Sequence, residues 1–111
     1  MSVIEKGLIE VDPVVVAGWL ASGEALAVDV REEAEWEVER IDGAILSPMS
    51  DFEPELFPKA GGKRLVLICA KGKRSAAVGQ KLLENGVSIA YNMTGGVQGW
   101  IEADLPISTG V

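Results

Sequence analysis

An unbroken apolar run, residues 65–69 with the sequence LVLIC, constrains the fold of this chain more than any other segment. Its five residues show no alternation between apolar and polar positions, which is the pattern of a strand covered on both faces. Such strands belong to parallel sheets that have helices packed on either side. The run therefore predicts a central strand of a parallel sheet.

Strand-like and helix-like segments alternate along the rest of the chain. Asp12 and Pro13 stand before an apolar segment that ends at Gly23, which predicts a short helix with a capped start and a glycine stop. The same kind of pattern predicts helices over 32–39, over 75–85 and after the glycine pair at 95–96, and strands over 25–30, 44–47 and 88–93. This alternation predicts an α/β fold around a mostly parallel sheet.

Length and charge limit the class of protein further. A chain of 111 residues has the size of one domain, so we expect residues 1–111 to form a single domain. The formal net charge of -7 argues against a general affinity for nucleic acid or for an anionic membrane. No apolar run approaches the roughly 20 residues of a membrane span, and Glu5, Lys6 and Glu10 interrupt the amino end where a signal peptide is apolar. We therefore expect a cytoplasmic protein.

The chain contains one cysteine and no histidine. One cysteine cannot form an intramolecular disulfide, and without imidazole there is no Cys/His dyad, Ser/His/Asp triad or Cys/His zinc finger. A nucleophile in this protein must therefore be activated by other means than a histidine base.

The segment after the apolar run carries the residues best suited to chemistry. Cys69 stands at the carboxyl end of the predicted strand, which is where open α/β sheets bind ligands. A turn of six residues from Cys69 to Arg74, followed by a helix, would direct backbone N–H groups at the sulfur. Gly72 permits the unusual backbone angles of such a turn, while Lys71 and Lys73 add positive potential together with the arginine. These features predict a Cys69 thiol with a lowered pKa, present largely as thiolate.

Positive charge is concentrated around this turn. Residues 56–83 contain no Asp or Glu but hold seven of the ten Lys and Arg residues, so a small anion would be attracted here. Each residue also has a purely structural interpretation. Cys69 could be a buried spectator thiol, Lys71 and Lys73 could be solvated loop charges, and Arg74 could pair with a carboxylate at the start of the helix.

Several motifs, taken in order, resemble those of single-domain rhodanese-like sulfurtransferases. The similarity extends over residues 9–106, with one departure: the family usually has a histidine where Arg40 stands. The motifs are VDVRE at 28–32, EW at 35–36, IDGA at 41–44, the six-residue cysteine turn at 69–74 and MTGGVQGW at 93–100.

The resemblance implies both a fold and a reaction. The fold would be a central parallel sheet of about five strands flanked by helices on both faces. Cys69 would be the catalytic residue and would carry sulfur as a persulfide, taken from thiosulfate or a persulfide donor and passed to cyanide, a thiol or a protein acceptor. No metal or other cofactor is implied. The substrate-binding residues would be Ala70, Lys71, Gly72, Lys73 and Arg74.

Two other functions fit the same loop. The first is a persulfide relay or protein-docking module that does not turn over free thiosulfate. The second is a cysteine phosphatase, but such enzymes place the arginine six residues after the cysteine, whereas Arg74 follows Cys69 by five. The smaller ring suits one sulfur atom better than a tetrahedral phosphoryl group.

Overall fold

Five parallel strands form the main sheet of the structure, a computed structural model that describes residues 6–110. The five strands are β1 Gly7–Val11, β2 Ala25–Asp29, β4 Ala44–Leu46, β5 Arg64–Ile68 and β6 Ile89–Met93. The order across the sheet is β1-β6-β5-β2-β4, and each neighbouring pair is parallel. The predicted central strand is confirmed as β5, which lies between β6 and β2.

Helices cover both faces of this sheet, as the sequence predicts. Helices α1 (Pro13–Ser22) and α4 (Gly96–Glu102) pack on one face, where Val16 and Trp100 join the apolar residues of the strands. Helix α3 (Lys73–Glu84) packs on the other face in a second apolar cluster. A short helix α2 (Glu33–Val38) follows β2, and two single 3-10 turns, Met49–Asp51 and Pro54–Leu56, connect β4 to β5.

Local signals at both ends of α1 set its length. The Asp12 carboxylate accepts a hydrogen bond of 2.7 Å from the Val14 N–H, and Pro13 occupies the first helical position. Gly23 ends the helix with a positive φ of 77°, a conformation that glycine adopts without strain. The structure therefore confirms the helix predicted between residues 12 and 23.

Helix α3 begins at Lys73, two residues earlier than the predicted start at Ser75. Gly72 has a φ of 101° and turns the chain so sharply that the helix begins at the next residue. Lys73 and Arg74 therefore lie in the first helical turn, and the loop itself is reduced to residues 69–72. The helix dipole and its first N–H groups lie correspondingly nearer to the cysteine.

Three further strands were absent from the sequence prediction. β1 lies at the edge of the main sheet, paired only with β6. The other two strands form a separate antiparallel pair, β3 (Glu39–Arg40) with β7 (Ser108–Thr109). Strands of two residues contain too short a pattern to be recognised from sequence.

Arg40, which stands where the resembling family usually has histidine, stabilises this small pair. Its guanidinium donates hydrogen bonds to the carbonyl oxygens of Trp36, at 3.1 Å, and Gly110, at 2.6 Å. It also lies 5.8 Å from the centre of the Trp36 ring, within the range of a cation–π contact. In this chain the position therefore connects α2 to the segment around β7.

Residues 6–110 contain no helix long and apolar enough to cross a membrane. The same residues contain no group of three or more His, Cys, Asp or Glu side chains placed to hold a metal ion. The prediction that the amino end lacks a signal peptide falls in part on residues 1–5, which lie outside the described residues.

Candidate active site

Cys69 lies directly after β5, with only 1% of its surface exposed, and is a free thiol. Its Sγ accepts a hydrogen bond of 3.0 Å from the Gly72 N–H and one of 3.2 Å from the Ser75 hydroxyl. Both donors come from the chain segment that turns into α3. The predicted arrangement, a sulfur facing backbone N–H groups at a helix start, is therefore present.

Two opposing effects set the pKa of the Cys69 thiol. Burial raises it, whereas hydrogen bonds from the Ser75 hydroxyl and from the backbone N–H groups of Ser75, Lys71 and Gly72 lower it. The donors prevail, and the pKa lies below its usual value, as predicted. The charges of Lys71 and Lys73 are not among the causes, contrary to expectation. Both side chains are exposed, so that water screens their charge from the buried sulfur.

Helix α4 holds the loop from the other side. The N–H of Val97 donates to the Cys69 carbonyl at 2.8 Å, and the N–H of Gln98 donates to the Ala70 carbonyl at 3.1 Å. The N–H that follows the Ala70 carbonyl is that of Lys71, one of the backbone donors to the sulfur. Gly96 makes this approach possible, because a Cβ at that position would collide with the Cys69 carbonyl and lie 2.6 Å from that of Ala70.

A buried polar network lies behind the sulfur. The Ser75 hydroxyl is 2.5 Å from Asn92 Oδ1, and Asn92 Nδ2 donates to the Gly72 carbonyl at 3.0 Å. The same Nδ2 also reaches both oxygens of Glu10, at 3.1 and 3.0 Å. Ser75, Asn92 and Glu10 are site residues that were not predicted from the sequence. One signal was present, since Asn92 is a polar residue inside an otherwise apolar strand.

Arg74 forms a two-pronged ion pair with Glu35. The two N–O distances are 2.7 and 2.8 Å, and each side chain is about a third exposed. The hydrogen bond from Arg74 is the largest cause that lowers the pKa of Glu35 to about 2. The carboxylate pairing left open by the sequence is thus what the structure shows, and contact of Arg74 with a substrate stays a prediction.

A cavity of about 380 Å³ opens at the cysteine. Gly72, the remaining predicted site residue, does not line this cavity but donates its N–H to the sulfur. The structure thus brings all of the predicted site residues together. The residues that line the cavity are Cys69, Ala70, Lys71, Lys73 and Arg74.

Asp29 and Arg31, which belong to one of the sequence motifs, form a buried ion pair of their own. The Nε of Arg31 donates to both Asp29 oxygens, at 3.1 and 3.0 Å, and its Nη2 donates to the Glu39 carbonyl at 2.7 Å. These contacts connect the end of β2 with β3. The pair therefore has a structural role in this chain.

The fold and this site define the class of protein. Residues 12–103 match the rhodanese-like domain family, and the chain belongs to that family. The resemblance drawn from the sequence motifs is therefore confirmed.

Two of the curated relatives illustrate the similarity, each with more than one third of the aligned residues identical to this chain. Over 81 residues the chain is 38% identical to an uncharacterized protein of Synechocystis, an alignment that covers 73% of this chain and 45% of that protein. Over 91 residues it is 36% identical to the probable adenylyltransferase/sulfurtransferase MoeZ of Mycobacterium tuberculosis, covering 79% of this chain and 23% of the relative. The chain thus spans less than half of the length of either relative.

Among solved structures, the crystal structure of a thiosulfate sulfurtransferase from Pseudomonas aeruginosa superposes with a TM-score of 0.79. The sequence identity is 26%, and the match covers 94% of this chain and 21% of that chain. The five-stranded parallel sheet of this family is thus found in the present chain.

Proposed function

We propose that the protein is a sulfurtransferase of the thiosulfate type, in which Cys69 carries the transferred sulfur as a persulfide. The observation that supports this most directly is the set of N–H and O–H donors around the buried Sγ. Because these donors favour the thiolate, the nucleophile is ionised without a general base, which suits a chain that has no histidine.

The first half-reaction loads the cysteine. The Cys69 thiolate attacks the outer sulfur of thiosulfate, a new S–S bond forms, and the bond between that sulfur and the sulfonate group breaks. Its electron pair leaves with sulfite, so that Cys69-S⁻ and S₂O₃²⁻ give Cys69-S-S⁻ and SO₃²⁻. No redox partner is needed. The charge on the outer sulfur would lie in the cavity at the loop.

The second half-reaction returns the thiolate. Cyanide attacks the outer sulfur and leaves as thiocyanate, or a thiolate acceptor leaves as its own persulfide, and in both cases Cys69-S⁻ is restored. Lys71 and Lys73 would attract the anionic donor, Ala70 and Gly72 would form the wall and floor of the site, and Arg74 would close it. These roles are part of the proposal.

The proposed reaction uses no metal, nucleotide or flavin. It requires a reduced thiol, which a cytoplasmic compartment maintains, so the proposal includes a cytoplasmic location. It also treats residues 1–111 as one domain that performs both half-reactions.

Mass spectrometry tests the proposal directly. After incubation with thiosulfate and removal of excess reagent, we expect a gain of about 32 Da, one sulfur atom, on the peptide that contains Cys69, reversed by cyanide. A relay module would gain the same mass only from a persulfide donor. Absence of the adduct with both kinds of donor would exclude the proposed function.

Hydrolysis of an aryl phosphate tests the phosphatase alternative. The ring from Cys69 to Arg74 has one residue fewer than a phosphatase loop, and Arg74 is held by Glu35. We therefore expect no measurable hydrolysis. Efficient phosphate-ester turnover without sulfur transfer would assign the protein to the rival class.

A further inference from the structure

The Ser75 hydroxyl faces two acceptors but has one proton. Its oxygen lies 3.2 Å from Cys69 Sγ and 2.5 Å from Asn92 Oδ1. A hydroxyl donates one hydrogen bond at a time, so the sulfur and the amide oxygen compete for it. Ser75 is fully buried, and water does not relieve this competition.

The orientation of the Asn92 amide is fixed by its other partners. Its two N–H hydrogens are directed at the Gly72 carbonyl and at the Glu10 carboxylate, neither of which can donate. The amide oxygen must therefore be the atom that faces Ser75. Asn92 is 3% exposed, and Glu10 is its partner in the register of β1 with β6, so the backbone itself places the two side chains together.

The two competing acceptors change in relative strength during sulfur transfer. In the resting thiolate, Sγ carries the negative charge and is a charged acceptor for the hydroxyl. In the persulfide, the charge has moved to the outer sulfur, and Sγ is a neutral, weak acceptor. Asn92 Oδ1 is the same acceptor in both states.

We propose that Asn92, oriented by Glu10, is a positioning residue that competes with Cys69 Sγ for the Ser75 proton, which points to Sγ in the thiolate and to Asn92 in the persulfide. This inference rests on the proposed function for its second state. The proton stays on the Ser75 oxygen in both states, and only the O–H bond rotates. Because Asn92 accepts the hydroxyl proton when the sulfur is loaded, it stabilises the persulfide relative to the unloaded thiolate.

Other charges surround the sulfur and must be held constant in any test. They come from four elements around the loop and from the loop itself, and each remains present when Ser75 or Asn92 alone is changed. They are Glu10 on β1, Asp29 at the end of β2 with Arg31 after it, Glu35 on α2, and Lys71, Lys73 and Arg74 on the loop and α3.

A double-mutant cycle on the pH dependence of Cys69 alkylation by iodoacetamide tests the competition. Ser75→Ala should raise the pH at which alkylation reaches half of its maximal rate, called the midpoint below, because Sγ loses a hydrogen-bond donor. Asn92→Ala should lower it by about half a pH unit to one unit, because Ser75 then donates to the sulfur alone. In the Ser75→Ala background, Asn92→Ala should produce no such lowering.

A merely structural role of Asn92 predicts the opposite sign. If Asn92 only held the Gly72 carbonyl, its removal would loosen the Gly72 N–H from the sulfur and raise the midpoint in both backgrounds. That result would overturn the proposal. Alkylation requires no sulfur transfer, so the cycle gives its answer even if the proposed function fails.

Glu10 offers a second pair of variants at an exposed edge position, where folding is not at risk. Glu10→Gln removes the charge but keeps an oxygen that accepts from Asn92, whereas Glu10→Ala removes both. We expect the alkylation midpoint of Glu10→Ala to lie below that of Glu10→Gln, and the difference to vanish when Ser75 is alanine. Equal midpoints for the two variants would remove Glu10 from the proposal.

The persulfide state is tested by the loading equilibrium with thiosulfate and sulfite, measured well above the thiol pKa. Asn92→Ala should shift this equilibrium several-fold toward the unloaded thiolate. An unchanged equilibrium together with a lowered alkylation midpoint would refute the rotation of the proton. Absence of loading in the unaltered protein would refute the proposed function instead.

Discussion

Two helices begin at the cysteine loop, and each follows a glycine with positive φ: α3 after Gly72, at 101°, and α4 after Gly95, at 76°. Their first N–H groups have different targets. Those of α3 and the loop before it face the sulfur of Cys69. Those of α4 bind the carbonyl oxygens of Cys69 and Ala70.

The difference separates two tasks that anion sites in proteins often combine. α3 provides donors for the charge, whereas α4 binds the backbone and so determines where those donors point. The side chains of Lys71 and Lys73 perform neither task, since their charges are not among the causes that lower the pKa of the thiol. Changes on the α3 side should therefore alter chemistry, and changes on the α4 side should alter the loop itself.

The largest effect is expected from Cys69→Ser, which removes the sulfur atom that the loop and α3 surround with donors. An oxygen cannot form a stable persulfide, and the chain has no other thiol, so sulfur transfer from thiosulfate to cyanide should be abolished. The swap is nearly isosteric, and the circular dichroism spectrum should be unchanged. Transfer that persists in this variant would require a sulfur carrier other than cysteine.

Gly96→Ala should disrupt the contact between α4 and the cysteine loop. A Cβ there would collide with the Cys69 and Ala70 carbonyls, so we expect a stability loss of a few kcal/mol, roughly 2 to 4, and a displaced loop with little activity. Gly18→Ala is the matched control, because Gly18 lies inside α1 with open space around it and should be neutral or slightly stabilising. Urea unfolding and transfer assays compare the two. Equal behaviour would show that α4 does not shape the loop.

Neutralising Lys71 and Lys73 sharpens the comparison on the α3 side. Replacement of both by Gln should raise KM for thiosulfate several-fold and flatten the dependence of the rate on salt. The pKa of Cys69 should not change, because burial and hydrogen bonds determine it and the lysine charges do not. The control is the pair Lys59 and Lys63, which lines a cavity away from the loop. A shifted alkylation midpoint in the Lys71/Lys73 variant would contradict this division between steering and ionisation.

The smallest effect concerns the ion pair that connects α2 to α3. The pKa of Glu35 is lowered to about 2 from 4.5, so the pair stabilises the fold above about pH 4.5 and loses that contribution as the pH falls toward 2. Because both side chains are about a third exposed, Glu35→Gln should cost no more than about 1 kcal/mol at pH 7. Urea unfolding at pH 7 and pH 3 measures this. A cost that grew on acidification would contradict the sign.

The sequence predicted those parts of the fold that depend on near neighbours. The apolar run of β5, the caps of α1 and the glycine before α3 are all contained in a few consecutive residues. The cysteine loop belongs to this group, which is why Cys69 and its surroundings could be proposed before the structure was known.

The missed contacts join residues far apart in the chain. Ser75 and Asn92 are 17 positions apart, Arg74 and Glu35 are 39 apart, and Asn92 and Glu10 are 82 apart. Such pairs follow from the order of strands in the sheet, which local patterns do not contain. Arg74 shows the consequence, since a cation near a thiol suggests substrate binding until its carboxylate partner is seen.

The way the loop is held also bears on how such a protein can change over evolutionary time. Among residues 6–110, the hydrogen bonds that shape the loop come from main-chain groups and from Ser75 and Asn92, and not from the side chains of Ala70, Lys71 or Lys73. Those three positions line the cavity, and substitutions there leave in place the hydrogen bonds that hold the loop around the sulfur. Substrate preference can therefore diverge, or be engineered by saturating these positions, while the reactive cysteine keeps the surroundings that ionise it.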